Sequence, residues 1–574
     1  MITKNRSFWV VALLCILTLL PFLGLTDYHT KGEPRESIVA YTMLESGNWI
    51  LPENIGGDIA YKPPFFHWMV AAASLPAGEV SEYSSRLPSA LALIAIVLVG
   101  FSFFAKRRGE ELALVMAIIT LTNFEVHRAA FACRVDMVLT AFIVLALYAL
   151  YRWWERGLRD IPWWAILCMG CATLTKGPVG FLLPCGTMGL FLWMRGGGFW
   201  LAVRKLLPVG LLACVLPAAW YVAAYQQGGD QFLDLVIEEN FSRFVGKMSY
   251  ASHENPVWYN FMTVLTGYVP YTLLALFALP LMKWRGARRT LGERWTATKR
   301  YFEEMDTARL YALLSIVVIF VFYCIPKSKR SVYLLPIYPF IAYFLAELFV
   351  WLYRNRKGAL KLFGAVISGV CGVLTLLLIV IRAGWIPESL FGDGKHAAEN
   401  IAFLNALEEG PISLLGWICI LLPAVICVWY FVRALPSKNY DAMGYGALAA
   451  ALALFVALDG FYQPTVLNVK SDKRMAAEIA EIVPEGPIYS YVKQKMLHFY
   501  VVNFYTDNRV VLFEQHLPKE GYLLIGRKDT AHLFPAYEDR YCFEEVYAST
   551  KRGCDVRDII HLYRFKQLET PAEE

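Results

Sequence analysis

Carboxylates and cations that could carry out group transfer collect just after the first apolar segment of the chain. Residues 32–68 hold Glu33, Arg35, Glu36 and Lys62. Unpaired charge is costly to keep beside a membrane, so charge retained there indicates a site. A carboxylate can deprotonate an acceptor hydroxyl, and cations can stabilise negative charge on a departing phosphate. These residue types therefore predict transfer of a group away from a phosphate.

The composition places these residues in an integral membrane protein. Of the 574 residues, 57% are hydrophobic, 15% are aromatic and 18% are charged. Such a chain is too apolar for a soluble protein and too charged to lie wholly in lipid. The net charge of +6 is no indication of a nucleic-acid partner, because Lys and Arg in membrane proteins mostly mark cytoplasmic loops.

About thirteen apolar segments have roughly membrane-spanning length. They lie near residues 8–25, 86–104, 112–126, 137–153, 162–175, 177–194, 206–225, 257–282, 310–325, 332–352, 362–381, 412–432 and 444–461. Residues 66–77 predict a shorter interfacial or re-entrant helix. With a cytoplasmic N-terminus, the loops richest in Lys and Arg fall on the inner side, as the positive-inside rule requires. We therefore predict a membrane domain over 1–462, with a first outer loop at 26–85 and a flexible outer loop at 226–256.

The polar tail over 463–574 predicts a small α/β domain on the outer side. We expect helices at 471–483 and 495–503, and strands near 487–491, 509–513, 521–525 and 558–564. Its two cysteines, Cys542 and Cys554, could form a disulfide if the tail faces an oxidising compartment.

One basic cluster breaks the positive-inside rule. Lys327, Lys329 and Arg330 fall on the outer side, just before Tyr333. Three cations in four residues need an anionic partner there. Snorkelling to lipid phosphates is one interpretation, and a pocket for a phosphate-bearing ligand is the other.

Other ionisable residues fall on the same predicted face. Glu33 and Glu36 are three residues apart on a predicted helix over 33–46 and would face one cavity, although acidic residues also favour helix starts. Asp136 begins the fourth predicted span and could be an ordinary N-terminal charge. Lys176 is a lone cation between apolar runs, which favours a functional role.

Two histidines have simpler interpretations. His253 is best explained as a loop histidine, and His67, in an aromatic run, as an interfacial one.

Several motifs resemble the GT-C glycosyltransferases of the aminoarabinose transferase (ArnT-like) type, relatives of protein O-mannosyltransferases. They occur in matching order through about the first 340 residues, as EPRESIVAYTMLESGNWILP, YKPPFFHW, RVDMVLTAF, LTKGP, SHENPVWY and KSKRSVYLLP. The resemblance implies a polytopic all-α membrane domain of GT-C fold with a small periplasmic α/β domain. It also implies a polyprenyl-phosphate sugar donor used at the periplasmic face of a bacterial inner membrane. The type member adds aminoarabinose to lipid A phosphates.

The resemblance carries roles over by position to eight residues, namely Glu33, Arg35, Lys62, Asp136, Lys176, Lys327, Lys329 and Tyr333. Glu36, Arg134, His253 and Arg330 join them because they fall on the same predicted face. We expect the catalytic carboxylates among Glu33, Glu36 and Asp136. We expect the donor phosphate to be bound by Lys62, Lys176, Lys327, Lys329, Arg330 and Tyr333. We expect the substrates to be positioned by Arg35, Arg134 and His253.

Two departures from the family pattern matter. Gly32 stands where the family usually has an aspartate, so Glu33, Glu36 or Asp136 must replace that residue if a base is needed. A phosphate acceptor is already anionic and needs no base, whereas a hydroxyl does. Tyr61 stands where an acid often precedes the lysine, which weakens any metal site built with His253. We expect no cofactor and no catalytic metal, with a divalent ion near His253 as the alternative.

The leading interpretation is a monomeric enzyme that transfers a sugar from a polyprenyl phosphate to lipid A or another periplasmic glycolipid. A protein O-glycosyltransferase is the nearest alternative. A lipid transporter or flippase would show ionisable residues near the bilayer midplane and two related halves. The sequence shows neither feature, and a non-catalytic scaffold leaves the outer cation cluster unexplained.

Overall fold

The computed structural model describes residues 2–238, 254–281, 291–392, 394, 396–437, 439–494 and 497–568. The helices up to the end of the membrane-associated part are α1 Ile2–Leu19, α2 Gly32–Ser46, α3 Phe65–Ser74, α4 Glu82–Arg108, α5 Glu110–Leu121, α6 Phe124–Ala130, α7 Val135–Glu155, α8 Trp163–Lys176, α9 Val179–Leu192, α10 Gly198–Ala213, α11 Val215–Ile237, α12 Trp258–Gly267, α13 Tyr271–Ala278, α14 Leu291–Glu304, α15 Thr307–Cys324, α16 Tyr338–Asn355, α17 Lys357–Arg382, α18 Ala397–Glu409, α19 Leu414–Trp429, α20 Tyr440–Ala457 and α21 Gln463–Lys470. One apolar core runs through them, from Val11 in α1 to Ala451 in α20.

Eight helices in the described ranges are long and apolar enough to cross a membrane, or up to ten if each bent pair counts as one span. The predicted number was about thirteen. Predicted span 8–25 corresponds to the apolar stretch Arg6–Phe22, which is shorter than 18 residues, and span 162–175 to the 14-residue helix α8. Predicted spans 177–194 and 206–225 fall in one run of 59 residues, Val179–Ile237. That run is about three times as long as a ~30 Å hydrocarbon layer requires. The chain is a multi-pass membrane protein.

The first loop is built on α2 and α3. Helix α2 ends at Gly47, whose φ of +69° closes the last turn with a 3.1 Å bond from its N–H to the carbonyl of Met43. The helix buries Ile38 and Val39 against its neighbours. Helix α3 is only ten residues long, too short to cross a bilayer. The predicted helix over 33–46 and the short helix near 66–77 are both confirmed.

The C-terminal part forms one mixed sheet flanked by helices. Its elements are α22 Lys473–Ile482, β1 Ile488–Tyr491, α23 Tyr500–Tyr505, β2 Val510–Leu512, α24 Phe513–His516, β3 Glu520–Gly526, α25 Arg527–Tyr537, β4 Tyr541–Arg552 and β5 Ile559–Gln567. The strand order is β2-β1-β3-β5-β4. Strand β1 pairs in parallel with β2 and β3, whereas β5 is antiparallel to β3 and β4. The predicted fold class, an all-α membrane protein with a small α/β domain, is confirmed.

Four of the five strands match predicted ones, but β4 and α25 were not predicted. Of the twelve residues of β4, only Tyr541 and Ser549 are buried, so the strand lacks the apolar alternation on which such predictions depend. Both cysteines of this domain are free thiols. Cys542 lies near the start of β4 and Cys554 beyond its end, about 30 Å apart along an extended strand. The structure therefore does not contain the disulfide considered above.

The sheet domain lies directly on the first loop. The Tyr505 hydroxyl accepts a 2.9 Å bond from the backbone N–H of Tyr28 and donates a 2.7 Å bond to Glu82. Ile38, Ile55 and Tyr500 form a small shared apolar cluster. Helix α23 is thereby fixed against α2, which carries Glu33 and Glu36, two of the three predicted catalytic carboxylates. The predicted boundary at residue 462 falls within the helical run Tyr440–Asn468, and the division into domains remains a prediction.

Candidate active site

Glu33 is held by an arginine that sequence reasoning missed. Arg86, near the start of α4, donates from Nε to Glu33 Oε1 at 2.8 Å and from Nη2 to Oε2 at 3.2 Å. The backbone N–H of Cys133 donates a further 2.9 Å bond to Oε1. Both charged side chains are buried. A lone arginine beginning a long apolar helix was the available signal, since such a charge needs a buried partner.

Glu36 lies at the centre of a second cluster. It pairs with Lys62 and accepts bonds from Arg35 at 3.0 Å and from His67 at 2.9 Å. His67 is 1% exposed, so its ring lies inside the protein and does not face the lipid. Glu33 and Glu36 therefore have separate sets of partners and do not face one cavity.

The Glu36 cluster lines a cavity that the C-terminal domain helps to form. The side chains around it are Arg35, Glu36, Val39, Asn54, Asp58, Ile59, Ala60, Tyr61, Lys62, His67 and Tyr500. Burial would raise the pKa of Glu36, but Lys62, His67 and Arg35 outweigh it and hold that pKa well below the usual range. Burial and the neighbouring Arg35 cation lower the pKa of Lys62 to about 8, despite the opposing effect of Glu36.

Asp136 and Lys176 form the second carboxylate–lysine pair. Asp136 lies in the first turn of α7, Lys176 is the last residue of α8, and their charged groups are hydrogen-bonded. The Lys176 ammonium also lies 4.5 Å from the centre of the Tyr333 ring, a cation–π contact. Lys176 is near enough to Lys62 to contribute to lowering its pKa. The two lysine–carboxylate pairs are thus neighbours.

Two arginines add positive charge beside these pairs. Burial and the nearby Arg330 lower the pKa of Arg134, with Asp136 acting in the opposite direction. Arg330 lies within electrostatic range of both Arg134 and Asp136. Neither guanidinium makes a hydrogen bond or ion pair with another residue in the described ranges. Their donors are available to a ligand.

Gly32 allows Arg134 to occupy its position. A Cβ added at Gly32 would lie 1.7 Å from Arg134 Nη2, so any larger side chain must displace the guanidinium. Gly32, which departs from the family pattern, is therefore the residue against which the Arg134 guanidinium lies.

The remaining predicted residues are placed less favourably. Lys329 is 5% exposed, and its ammonium donates a 2.5 Å hydrogen bond to the carbonyl of Pro326. Lys327 is exposed, and its carbonyl accepts from the backbone N–H of Asn255 at 3.3 Å. Neither placement favours the predicted phosphate-binding role. His253, and residues 239–253 of the predicted flexible loop, lie outside the described residues.

The net charge of the site is positive. Once the closed pair of Glu33 with Arg86 is set aside, the carboxylates of Glu36 and Asp136 face a larger group of cations, namely Arg35, Lys62, Arg134, Lys176 and Arg330. Asp58 also lines the cavity and pairs with His498 at 3.2 Å. Five cations against three carboxylates still suit an anionic ligand, and Lys and Arg are the usual phosphate donors. In the described part of the chain, the group of His, Cys, Asp or Glu that could hold a metal is Asp472, Cys554 and Asp555, in the C-terminal domain.

We expect Gly32→Ala to raise KM for an anionic substrate about tenfold, because the added methyl displaces Arg134 and about 1.5 kcal/mol of charge-assisted bonding is lost. Steady-state kinetics would measure this change. The matched control is Gly369→Ala, where an added Cβ meets nothing within 4 Å. If Gly32→Ala still raised KM tenfold in an Arg134→Ala background, the displacement of Arg134 would not be the cause.

Several proteins similar to this chain are named as glycosyltransferases. A sequence model of the dolichyl-phosphate-mannose-protein mannosyltransferase family matches residues 61–222. An uncharacterized protein from Aquifex aeolicus is 27% identical over 346 residues, which is 58% of this chain and 63% of that protein. An undecaprenyl phosphate-alpha-4-amino-4-deoxy-L-arabinose arabinosyl transferase from Shewanella sediminis is 27% identical over 553 residues, which is 93% of this chain and 90% of that protein.

The crystal structure of ArnT from Cupriavidus metallidurans bound to undecaprenyl phosphate has the same fold. It superposes with a TM-score of 0.68 at 19% identity, covering 97% of both chains. The chain is therefore a multi-pass membrane protein with the GT-C fold of that structure, and the relatives with named activities are glycosyltransferases. The similarity to the Shewanella transferase runs through nearly the whole length of this chain.

Proposed function

We propose that this enzyme transfers a sugar from a polyprenyl-phosphate donor, undecaprenyl phosphate aminoarabinose in the first instance, to lipid A or another periplasmic glycolipid. The observation that carries the proposal is the excess of cations around Glu36 and Asp136. The named activity of the Shewanella relative and the undecaprenyl phosphate bound by the Cupriavidus protein support this donor. We further propose a monomer in the bacterial inner membrane, with a cytoplasmic N-terminus and a periplasmic C-terminal domain.

The two lysine–carboxylate pairs explain how the donor would bind. Without a donor, Glu36 and Asp136 hold Lys62 and Lys176 in position. The donor phosphate would bind to these two ammonium groups and to the Arg330 guanidinium. As the bond from the sugar to the phosphate oxygen breaks, its electron pair stays on the lipid phosphate, and the three cations stabilise that charge. The acceptor oxygen forms the new bond to the sugar.

The carboxylates differ in their suitability as a base. Both oxygens of Glu33 are bonded to Arg86, and Glu36 is held by three partners that lower its pKa. Asp136 Oδ2 makes no hydrogen bond to any residue in the described part of the chain. If the acceptor is a hydroxyl, we propose Asp136 as the base. A lipid A phosphate needs none, because it is already anionic.

The test is transfer by the purified full-length protein in lipid nanodiscs. With undecaprenyl phosphate aminoarabinose as donor, mass spectrometry should show lipid A gaining one aminoarabinose. The donor sugar should carry an isotopic label, so that its destination is unambiguous. Failure of the label to reach any lipid or protein acceptor would contradict the proposal.

A protein O-glycosyltransferase is the second candidate, and one observation favours it. The family that matches residues 61–222 is described as transferring mannose to protein. The same labelled reaction separates the two candidates, because the label would then appear in periplasmic protein and not in lipid.

We expect activity to fall as pH rises through about 8. The Lys62 ammonium has a pKa of about 8 and binds the donor phosphate only while it is protonated. Because kcat/KM reports ionisations of the free enzyme, it should decline about tenfold per pH unit above that value. Lys62→Arg is the control, since guanidinium stays charged throughout. An alkaline decline that is unchanged in Lys62→Arg would assign the ionisation to another group.

A further inference from the structure

Two carboxylates and a thiol meet where the C-terminal domain joins the last membrane-associated helix. Asp472 lies between α21 and α22, and Cys554 and Asp555 lie in the turn between β4 and β5. One carboxylate oxygen from each aspartate and the cysteine sulfur all lie within 4.8 Å of one another. We propose that these three side chains bind a structural zinc ion.

Each carboxylate has one oxygen engaged and one unsatisfied. Asp472 Oδ2 accepts a 2.8 Å bond from the backbone N–H of Cys554, and Asp555 Oδ2 accepts a 2.8 Å bond from that of Val501. The Oδ1 atoms of both aspartates are buried and have no hydrogen-bond partner. Asp472 is 0% exposed and Asp555 is 5% exposed. Unsatisfied buried oxygens are costly, and one cation between them would satisfy both.

No protein cation fills this role in the ranges that the structure describes. Two lysines lie within electrostatic range, Lys31 of Asp555 and Lys551 of Asp472. The Lys551 ammonium donates to the carbonyls of Val469 at 2.6 Å and Ser471 at 2.5 Å. No Lys, Arg or His nitrogen of the described residues forms an ion pair with Asp472 or Asp555. The two unsatisfied Oδ1 atoms are therefore left for a bound ion to contact.

The ligand types select zinc among the common divalent ions. Calcium and magnesium take oxygen ligands, whereas a thiolate with carboxylates suits zinc. Zinc–sulfur and zinc–oxygen bonds of about 2.3 and 2.1 Å place tetrahedral ligand atoms about 3.5 Å apart. Small side-chain rotations would bring the three atoms to that spacing. A water would complete the four ligands, and the thiol proton would be released on binding.

A zinc ion here would stiffen the support of the active site. Asp555 accepts a hydrogen bond from the backbone N–H of Val501 in the first turn of α23, and Tyr500 of that helix lines the Glu36 cavity. The ion would link this turn to the chain segment leaving α21. The inference does not depend on the reaction that the enzyme catalyses.

The test is zinc binding by the full-length protein, purified in detergent through a tag that does not bind metal. After treatment with a chelator, the protein is loaded with zinc chloride, passed through gel filtration and analysed for metal. We expect about one zinc per chain, with affinity lowered at least tenfold in Cys554→Ser and in Asp555→Asn. Cys542→Ser, which removes the exposed thiol of the same strand region, should bind like the wild type.

Two further readouts guard against misfolded variants. Cobalt added to the wild type should give a thiolate-to-cobalt absorption band that Cys554→Ser lacks. Zinc should raise the unfolding temperature of the wild type and of Cys542→Ser, but not that of Cys554→Ser. A wild type that retains no zinc above background, or a Cys554→Ser variant that binds zinc equally tightly, would overturn the inference.

Discussion

Lys62→Ala should lower kcat/KM for the lipid-phosphate donor by about 100-fold to 1,000-fold. The Lys62 ammonium lies in the cavity beside Glu36, where we propose that it stabilises charge on the departing phosphate. Removing one such group from a partly desolvated site typically has an effect of this size. The measurement is steady-state transfer of labelled sugar at pH 7, with donor concentration varied.

The controls separate loss of charge from loss of fold. Lys566→Ala removes an exposed lysine from β5 and should leave kcat/KM unchanged. Lys62→Arg restores the charge and should recover part of the activity. An unfolding temperature close to that of the wild type would show that Lys62→Ala folds normally. A folded Lys62→Ala enzyme within threefold of the wild type would exclude Lys62 from donor binding.

Arg86→Leu should destabilise the protein by about 3 to 5 kcal/mol, because it leaves the Glu33 carboxylate buried without its partner. The substitution also removes the donors to the carbonyls of Leu23 at 2.8 Å and Thr26 at 2.5 Å. Denaturant unfolding in detergent, followed by tryptophan fluorescence, would measure the loss.

A second substitution tests the cause of that loss. Adding Glu33→Gln to Arg86→Leu removes the unpaired charge and keeps an acceptor for the N–H of Cys133, so stability should largely return. Arg354→Ala is the comparison for a surface pair, since Arg354 is 64% and its partner Glu111 is 44% exposed. That change should cost less than about 1 kcal/mol. Equal losses for Arg86→Leu and the double variant would mean that the charge of Glu33 is not the reason.

Much of the fold followed from the sequence because membrane spans and their flanking charges are strong signals. The helix carrying Glu33 and Glu36 was also predictable, since its length and its ending at Gly47 are local properties. Strand β4 was not predictable, because an edge strand with few buried residues has no apolar pattern.

The site was predictable in its residue types but less so in its pairing. The sequence placed Glu33 and Glu36 on one helical face, yet a rotation of roughly 300° over three residues still separates their carboxylates enough to take different partners. Arg86 and His67 became partners only through tertiary packing, which periodicity does not report. Sequence also could not show that Arg134 lies over Gly32, since that depends on the approach of two distant segments.

Helix α2 carries two carboxylates that have different roles. Glu33 ties it to α4 through Arg86, and one turn later Glu36 holds the Lys62 that faces the cavity. Bilayers differ in thickness, and helices that span them adjust by tilting. Helix α2 is bound to the first turns of α4 and not to the part of α4 that lies in lipid. Such tilting would therefore move the Glu33–Arg86 pair and the Glu36–Lys62 pair together. The spacing of the charged groups should then tolerate changes in lipid composition.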